Sequence, residues 1–172
     1  INVPMCGLED VKGFMIPGFL AASEGIPYPN ALKEKIMGKF RIEKLRGDLE
    51  TETLDRVQTD PDLFFDEANK ITDEMAEISL YLLQEEKWDF FMPVFMGLDR
   101  IQHFFWRYID AAHPGHEENE YSTLVKDFYI KVDRITGDFV RCVDEDTAVM
   151  VVSDHGFCPV HTEVIVNNYL EE

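Results

Sequence analysis

At 172 residues, with 45% hydrophobic and 12% aromatic content, the chain is globular and long enough for one domain with a real core. A formal net charge of −18, from 34 acidic against 16 basic residues, makes broad contact with a nucleic-acid backbone or an anionic membrane unfavourable, and a phosphorylated substrate would need metal ions to offset that field. Cys6, Cys142 and Cys158 are an odd number without framework spacing, and no signal peptide or apolar run of membrane-spanning length occurs, so a cytoplasmic protein is expected.

The sequence opens at Ile1-Asn2-Val3-Pro4-Met5 and stops at Tyr169-Leu170-Glu171-Glu172, where an apolar and acidic pattern has just begun. Both ends are therefore expected to be cuts in a longer chain. Residues 6 to 29 carry Gly7, Gly13, Pro17, Gly18, Gly25, Pro27 and Pro29, the composition of a long ordered loop with short extended pieces such as Phe14-Met15-Ile16. Asn30 can cap a short helix over Ala31 to Met37, which Gly38 would terminate. Phe40 to Leu45 is a candidate strand, and Arg46 to Gln58 is charged and ambiguous.

At Asp60-Pro61 the signal becomes clear. Asp60 is a good cap and Pro61 suits the first helical position. Phe64, Ala68, Ile71, Met75, Ile78 and Leu82 then recur at helical spacing, which predicts a long amphipathic helix ending near Lys87. The apolar run within Trp88 to Leu98 follows as a predicted strand, with Pro93 requiring an edge position or a bulge because proline cannot donate a ladder hydrogen bond. A helix from Asp99 to Tyr108 comes next. Its Phe104, Phe105, Trp106 and Tyr108 are expected to pack against a sheet rather than stack a nucleobase.

The polar loop AAHPGHEENE holds His113 and His116 at a spacing that could bind metal, although the Pro-Gly and the acidic run favour an exposed loop. Tyr121, Leu124, Val125, Phe128, Val132, Ile135 and Phe139 mark a second long amphipathic helix. The β-branched run Val149 to Val152 reads as a buried strand that turns polar at Ser153-Asp154-His155, with Gly156 permitting a sharp turn. Strand, helix and strand in that order predict a right-handed crossover with parallel strands. The expected fold is therefore a single α/β domain over 1–172, mostly parallel sheet flanked by helices. Within it, 1–60 is loop-rich and 61–172 runs helix, strand, helix, helix, strand.

That order brings Asp99 and Asp154 to one edge of the sheet, where open α/β sheets bind ligands. Asp99 and His103 are four apart on a helix and can converge on one point. Asp154 and His155 adjoin at the other strand end, and His161 could add a ligand or be a surface residue before VIVN. Imidazole and carboxylate suit divalent transition metals, and two such ions can clamp the attacking and leaving oxygens of a phosphoryl transfer. The sequence has no Gly-rich phosphate loop, paired-cysteine zinc motif or Gly-x-Ser-x-Gly elbow.

GLDRIQHFFW together with VVSDHGF resembles the alkaline phosphatase superfamily, in its type I phosphodiesterase/nucleotide pyrophosphatase branch. NVPM, GFMIPGFLA and the long helix before Trp88 extend the likeness over most of the chain. The resemblance implies an alkaline phosphatase-like fold and a two-metal hydrolase of phosphodiester or nucleotide pyrophosphate bonds. By motif, Asp99 and His103 would bind the first ion and Asp154 and His155 the second, as zinc with manganese or iron as alternatives. It also implies a Thr or Ser nucleophile after an early strand beside another metal-binding Asp, and a last metal-binding His beside a Gly downstream of SDHG. Neither pattern occurs here, and His161 comes too soon for the latter. The nucleophile is thus expected upstream, and the 172 residues are expected to be an internal fragment without turnover of its own.

Two other readings stand beside this one. The same metal logic serves sulfatases, phosphomutases and phosphomonoesterases of the superfamily. A degenerate acidic domain would instead bind a partner through its Gly/Pro-rich start and hold no metal tightly. For the leading reading the expected partner is a small phosphorylated substrate. Apolar surface left uncovered by an absent N-terminal piece would favour a homo-oligomer.

Overall fold

In the computed structural model, which describes residues 14–16, 26–28, 30–41, 59–162 and 166, the longest element begins at Asp60-Pro61, where the sequence signal is strongest. The chain divides into two compact units, Ile1–Gly97 and Leu98–Glu172.

In the first unit, β1 (Phe14–Ile16) pairs antiparallel with β2 (Ile26–Tyr28), Met15 opposite Pro27. This pairing realises the short extended pieces expected in the Gly/Pro-rich stretch. Helix α1 (Asn30–Phe40) packs against β2, and α2 spans Pro61–Glu85. Asp60 Oδ1 accepts from the Leu63 N–H at 3.1 Å, satisfying one of the donors that a helix start leaves unpaired. At the other end, the Trp88 indole N–H donates to the Leu83 carbonyl at 2.9 Å. Phe64, Ala68, Ile71, Met75, Ile78 and Leu82 are all buried, as their spacing predicts. Ile78 and Leu82 close on Ile36 of α1, with Leu32, Phe40, Tyr81 and Phe91 around them. Tyr81 meets Phe40 edge-on at 5.5 Å, and the Lys35 and Lys39 ammonium groups lie over its ring at 5.3 and 5.2 Å.

The second unit contains α3 (Gly97–Phe105) apart from its first residue, a 3-10 turn at Trp106–Tyr108 and α4 (Glu120–Cys142). Asn119 starts α4: its Oδ1 accepts from the Tyr121 N–H at 3.0 Å while its own N–H donates to Ser122 Oγ at 3.3 Å. Ser122 Oγ also donates to the Tyr108 carbonyl at 2.7 Å, tying the helix start to the 3-10 turn. The rings of Phe105, Tyr108 and Tyr121 gather with centroids 5.4 to 5.8 Å apart. Val125, Phe128 and Ile135 form the buried stripe of α4. Leu124, expected on that stripe, is exposed. Tyr129, next to the buried Phe128, donates its hydroxyl to Gln102 Oε1. Burial pushes the Tyr129 phenol above its usual range.

The parallel α/β sheet is not found. The described residues hold four α-helices and one short antiparallel pair, with no strand at 88–98 or 149–152 and no parallel crossover. Residues 90–96 are irregular, and Gly97 and Leu98 already belong to α3. Val149, Met150, Val151 and Val152 lie in solvent, with Met150 81% exposed. The reason is physical: β-branched residues favour an extended chain, but a strand exists only when a neighbour accepts and donates its backbone hydrogen bonds. Pro93 cannot donate even where a neighbour is present.

Two smaller expectations change as well. Helix α1 runs through Gly38 and closes at Phe40, where Arg41 takes a φ of 53°, the left-handed turn that glycine was expected to provide. Phe40 is therefore helical rather than the start of a strand, while 42–45, 46–58, and VIVN apart from Val166 lie outside the described residues. Gly156 has no positive φ, so the turn there does not use glycine's left-handed freedom.

Ile78 is the test of the first unit's core. Ile78→Ala should lower the unfolding free energy in urea by about 3 kcal/mol, whereas Met150→Ala should change it by less than about 0.5 kcal/mol. Equal effects would refute the assigned core. A pH prediction follows from Tyr129, whose folded pKa is raised. Its contribution to stability is present below the unfolded pKa and is lost as pH rises through the folded value. Above about pH 10 the parent should therefore lose stability faster than Tyr129→Phe. Parallel urea midpoints for the two proteins across that range would contradict it.

Candidate functional site

Helix α3 positions the first half of the site. Asp99 lies in its first turn, where unpaired N–H groups and the helix dipole favour a carboxylate. His103 follows one turn later on the same face. Its Nε2 stands 3.4 Å from Asp99 Oδ1, the convergence that the four-residue spacing predicts.

The second half comes from the irregular segment after α4. His155 Nε2 stands 3.7 Å from the same Asp99 Oδ1 and 3.7 Å from Asp154 Oδ1. Local hydrogen bonds shape this segment: Ser153 Oγ donates to the His155 carbonyl at 2.5 Å, and His155 Nδ1 lies 3.1 Å from the Gly156 carbonyl. Asp154 is the outlying member, with its side chain 88% exposed.

The electrostatics of these contacts are specific. A carbonyl can only accept, so His155 Nδ1 must carry a proton, and in the neutral ring that leaves the Nε2 lone pair unprotonated. That lone pair faces a carboxylate oxygen, an arrangement that repels unless a cation or proton stands between them. Metal-binding histidines are oriented in this manner, the ring N–H held by a backbone carbonyl. Asp99 divides its two oxygens: Oδ1 faces both imidazoles, and Oδ2 lies 3.7 Å from Arg100 Nη1.

Distances test whether these donors suit metal ions. Two ligand atoms on one tetrahedral zinc, each about 2.0–2.1 Å from it, stand about 3.3 Å apart. The observed 3.4 and 3.7 Å are close to that separation and longer than an ordinary hydrogen bond. The ring centroids of His103 and His155 are 6.4 Å apart, wider than the roughly 5 Å of two imidazoles sharing one such ion. Among the described residues no three His, Cys, Asp or Glu side chains close on a single point suited to a metal ion. The imidazole and carboxylate pairs thus have the chemistry and spacing of metal donors two at a time, and the three do not converge as one ligand set.

The other marked histidines are elsewhere. His113 Nδ1 accepts from the Gly115 N–H at 3.0 Å, and His116 Nδ1 pairs with the Arg107 carbonyl at 2.8 Å. Both rings hold the loop's shape, with one Nδ1 as acceptor and the other as donor. His161 is exposed. Two neighbours of the site escape sequence spacing. Arg100 adjoins Asp99 and could have been suspected from adjacency alone. Phe157 lies 4.9 Å from the His103 ring, 5.3 Å from His155 and 5.7 Å from Trp106, and no spacing rule announces it. Trp106 faces this cluster, whereas Phe105 and Tyr108 are buried.

Comparison with known proteins adds one match. A family model described as type I phosphodiesterase / nucleotide pyrophosphatase matches residues 10–172. No curated protein and no solved structure matches the chain. Among the described residues no helix is long and apolar enough to cross a membrane.

Proposed function

The chain belongs to the type I phosphodiesterase / nucleotide pyrophosphatase family, and on that premise we propose a metal-dependent hydrolase of phosphodiester or nucleotide pyrophosphate bonds in small phosphorylated substrates. The family by itself places the chain among hydrolases of this kind. The observation that carries the finer reading is the approach of two imidazole Nε2 atoms, from distant parts of the chain, to one carboxylate oxygen at 3.4 and 3.7 Å.

In this reading Asp99 and His103 hold one divalent ion, and Asp154 and His155 hold a second, with zinc preferred for its imidazole and carboxylate ligands. When bound, such a pair supplies the positive charge that stabilises the attacking and leaving oxygens at phosphorus. The chain's own residues do the positioning. The Gly156 carbonyl keeps the His155 proton on Nδ1 and leaves Nε2 available. Arg100 attracts Asp99 Oδ2 and leaves Oδ1 to the imidazoles. A net charge of −18 repels a free phosphate ester, so phosphate affinity in this protein has to come through cations.

A calorimetric zinc titration tests the assignment. The parent should bind, and Asp99→Asn and His155→Ala should each weaken binding by about 100-fold or more, since even removing a supporting partner of a ligand costs about 10- to 100-fold. His116→Ala and His161→Ala should bind like the parent. Unchanged affinity in Asp99→Asn and His155→Ala would overturn the proposed ligand set.

A further inference from the structure

We propose that Phe157 is a positioning residue that sets the orientation of both site imidazoles. The inference rests on the reading of His103 and His155 as metal ligands. One benzyl ring meets both: its plane stands at 79° to His103, with centroids 4.9 Å apart, and at 61° to His155, 5.3 Å apart. Both are edge-on arrangements of the kind aromatic rings prefer. The two imidazoles are each about half exposed, at 51% and 50%. Side chains so open to solvent change rotamer readily unless a neighbour restrains them.

Phe157 is itself anchored. Its other contact is Trp106, 5.7 Å away and inclined at 32°. The Trp106 indole N–H donates to Asp110 Oδ2 at 2.9 Å, which fixes that ring in the turn directly after α3. The element that carries Asp99 and His103 therefore also places the platform on which Phe157 rests. His155 sits in a segment without regular structure, so this ring contact links it to the helical half of the site. A leucine would fill much of the volume yet present no flat face, while a tyrosine would preserve it.

Phe157→Leu and Phe157→Tyr separate the roles, with helical circular dichroism confirming that each folds. With zinc alone as the probe, Phe157→Leu should bind about 10- to 100-fold more weakly than the parent, as loss of a ligand's supporting partner does, and Phe157→Tyr should match the parent. The second readout needs no metal. The nuclear Overhauser contact between the imidazole C–H protons of His103 and His155, whose ring centroids are 6.4 Å apart, involves no atom of Phe157; it should be lost in Phe157→Leu and kept in Phe157→Tyr. Parent-like zinc affinity and a parent-like His103–His155 contact in Phe157→Leu would overturn the proposal. If the parent binds no zinc, the ligand reading fails alone and the contact decides: its loss in Phe157→Leu upholds the positioning role, and its persistence ends it. Should Phe157→Leu not fold, Phe157→Met is read by the same two measurements.

Discussion

Every backbone N–H and C=O removed from water needs a partner, and the described structure follows from how each segment finds one. A helix closes its bonds within itself. Asp60 and Asn119 satisfy donors at the starts of α2 and α4, and Trp88 reaches a carbonyl at the end of α2. These segments need neighbours only to cover an apolar stripe, which Ile36, Ile78 and Leu82 do between α1 and α2. An extended segment has no such independence. Residues 149–152 have the side chains of a strand, but no ladder forms there and their apolar groups stay in water.

The charge balance applies the same logic to the site. Asp99 is one of 34 acidic residues, yet its surroundings set it apart. A helix start favours its charge, Arg100 approaches one oxygen, and two imidazole nitrogens approach the other. With the His155 proton held on Nδ1 by a carbonyl, a lone pair and an anionic oxygen are left facing each other. Such a pair is stable around a cation or a proton. In the proposed reading that positive charge is a divalent ion, the kind of charge a phosphorylated substrate needs in order to approach a chain of net charge −18.

What could be read from sequence divides along the range of the interactions. The six apolar positions of α2 and the pairing of Asp99 with His103 depend on residues three or four apart, and both emerge as expected. The predicted strands failed because pairing is set by residues far along the chain, which periodicity does not contain. Gly38 failed for a milder reason: glycine at a helix end is a preference, and Arg41 accepts the left-handed turn instead. The sequence places Asp99 and Asp154 at a shared sheet edge. In the structure it is His155, the neighbour of Asp154, that approaches Asp99, from an irregular segment to a helix start, so this proximity arises without the sheet. Phe157 lay beyond reach because its role depends on touching two histidines from separate elements.

The two halves of the site differ in what holds them. Asp99 and His103 are fixed by the hydrogen bonds of α3, and their separation is set by helix geometry. Asp154 and His155 lie on an irregular segment shaped by a serine hydroxyl and one carbonyl, with His155 beside the Phe157 and His103 rings and Asp99, and Asp154 is largely in solvent. Preorganisation is therefore unequal. Donors on a helix pay little ordering entropy when a ligand arrives, whereas donors on an irregular segment must first be restrained. In the proposed reading, the first ion has a prepared seat and the second depends on side-chain contacts. That is why a single aromatic ring bridging the halves matters more here than it would between two rigid elements.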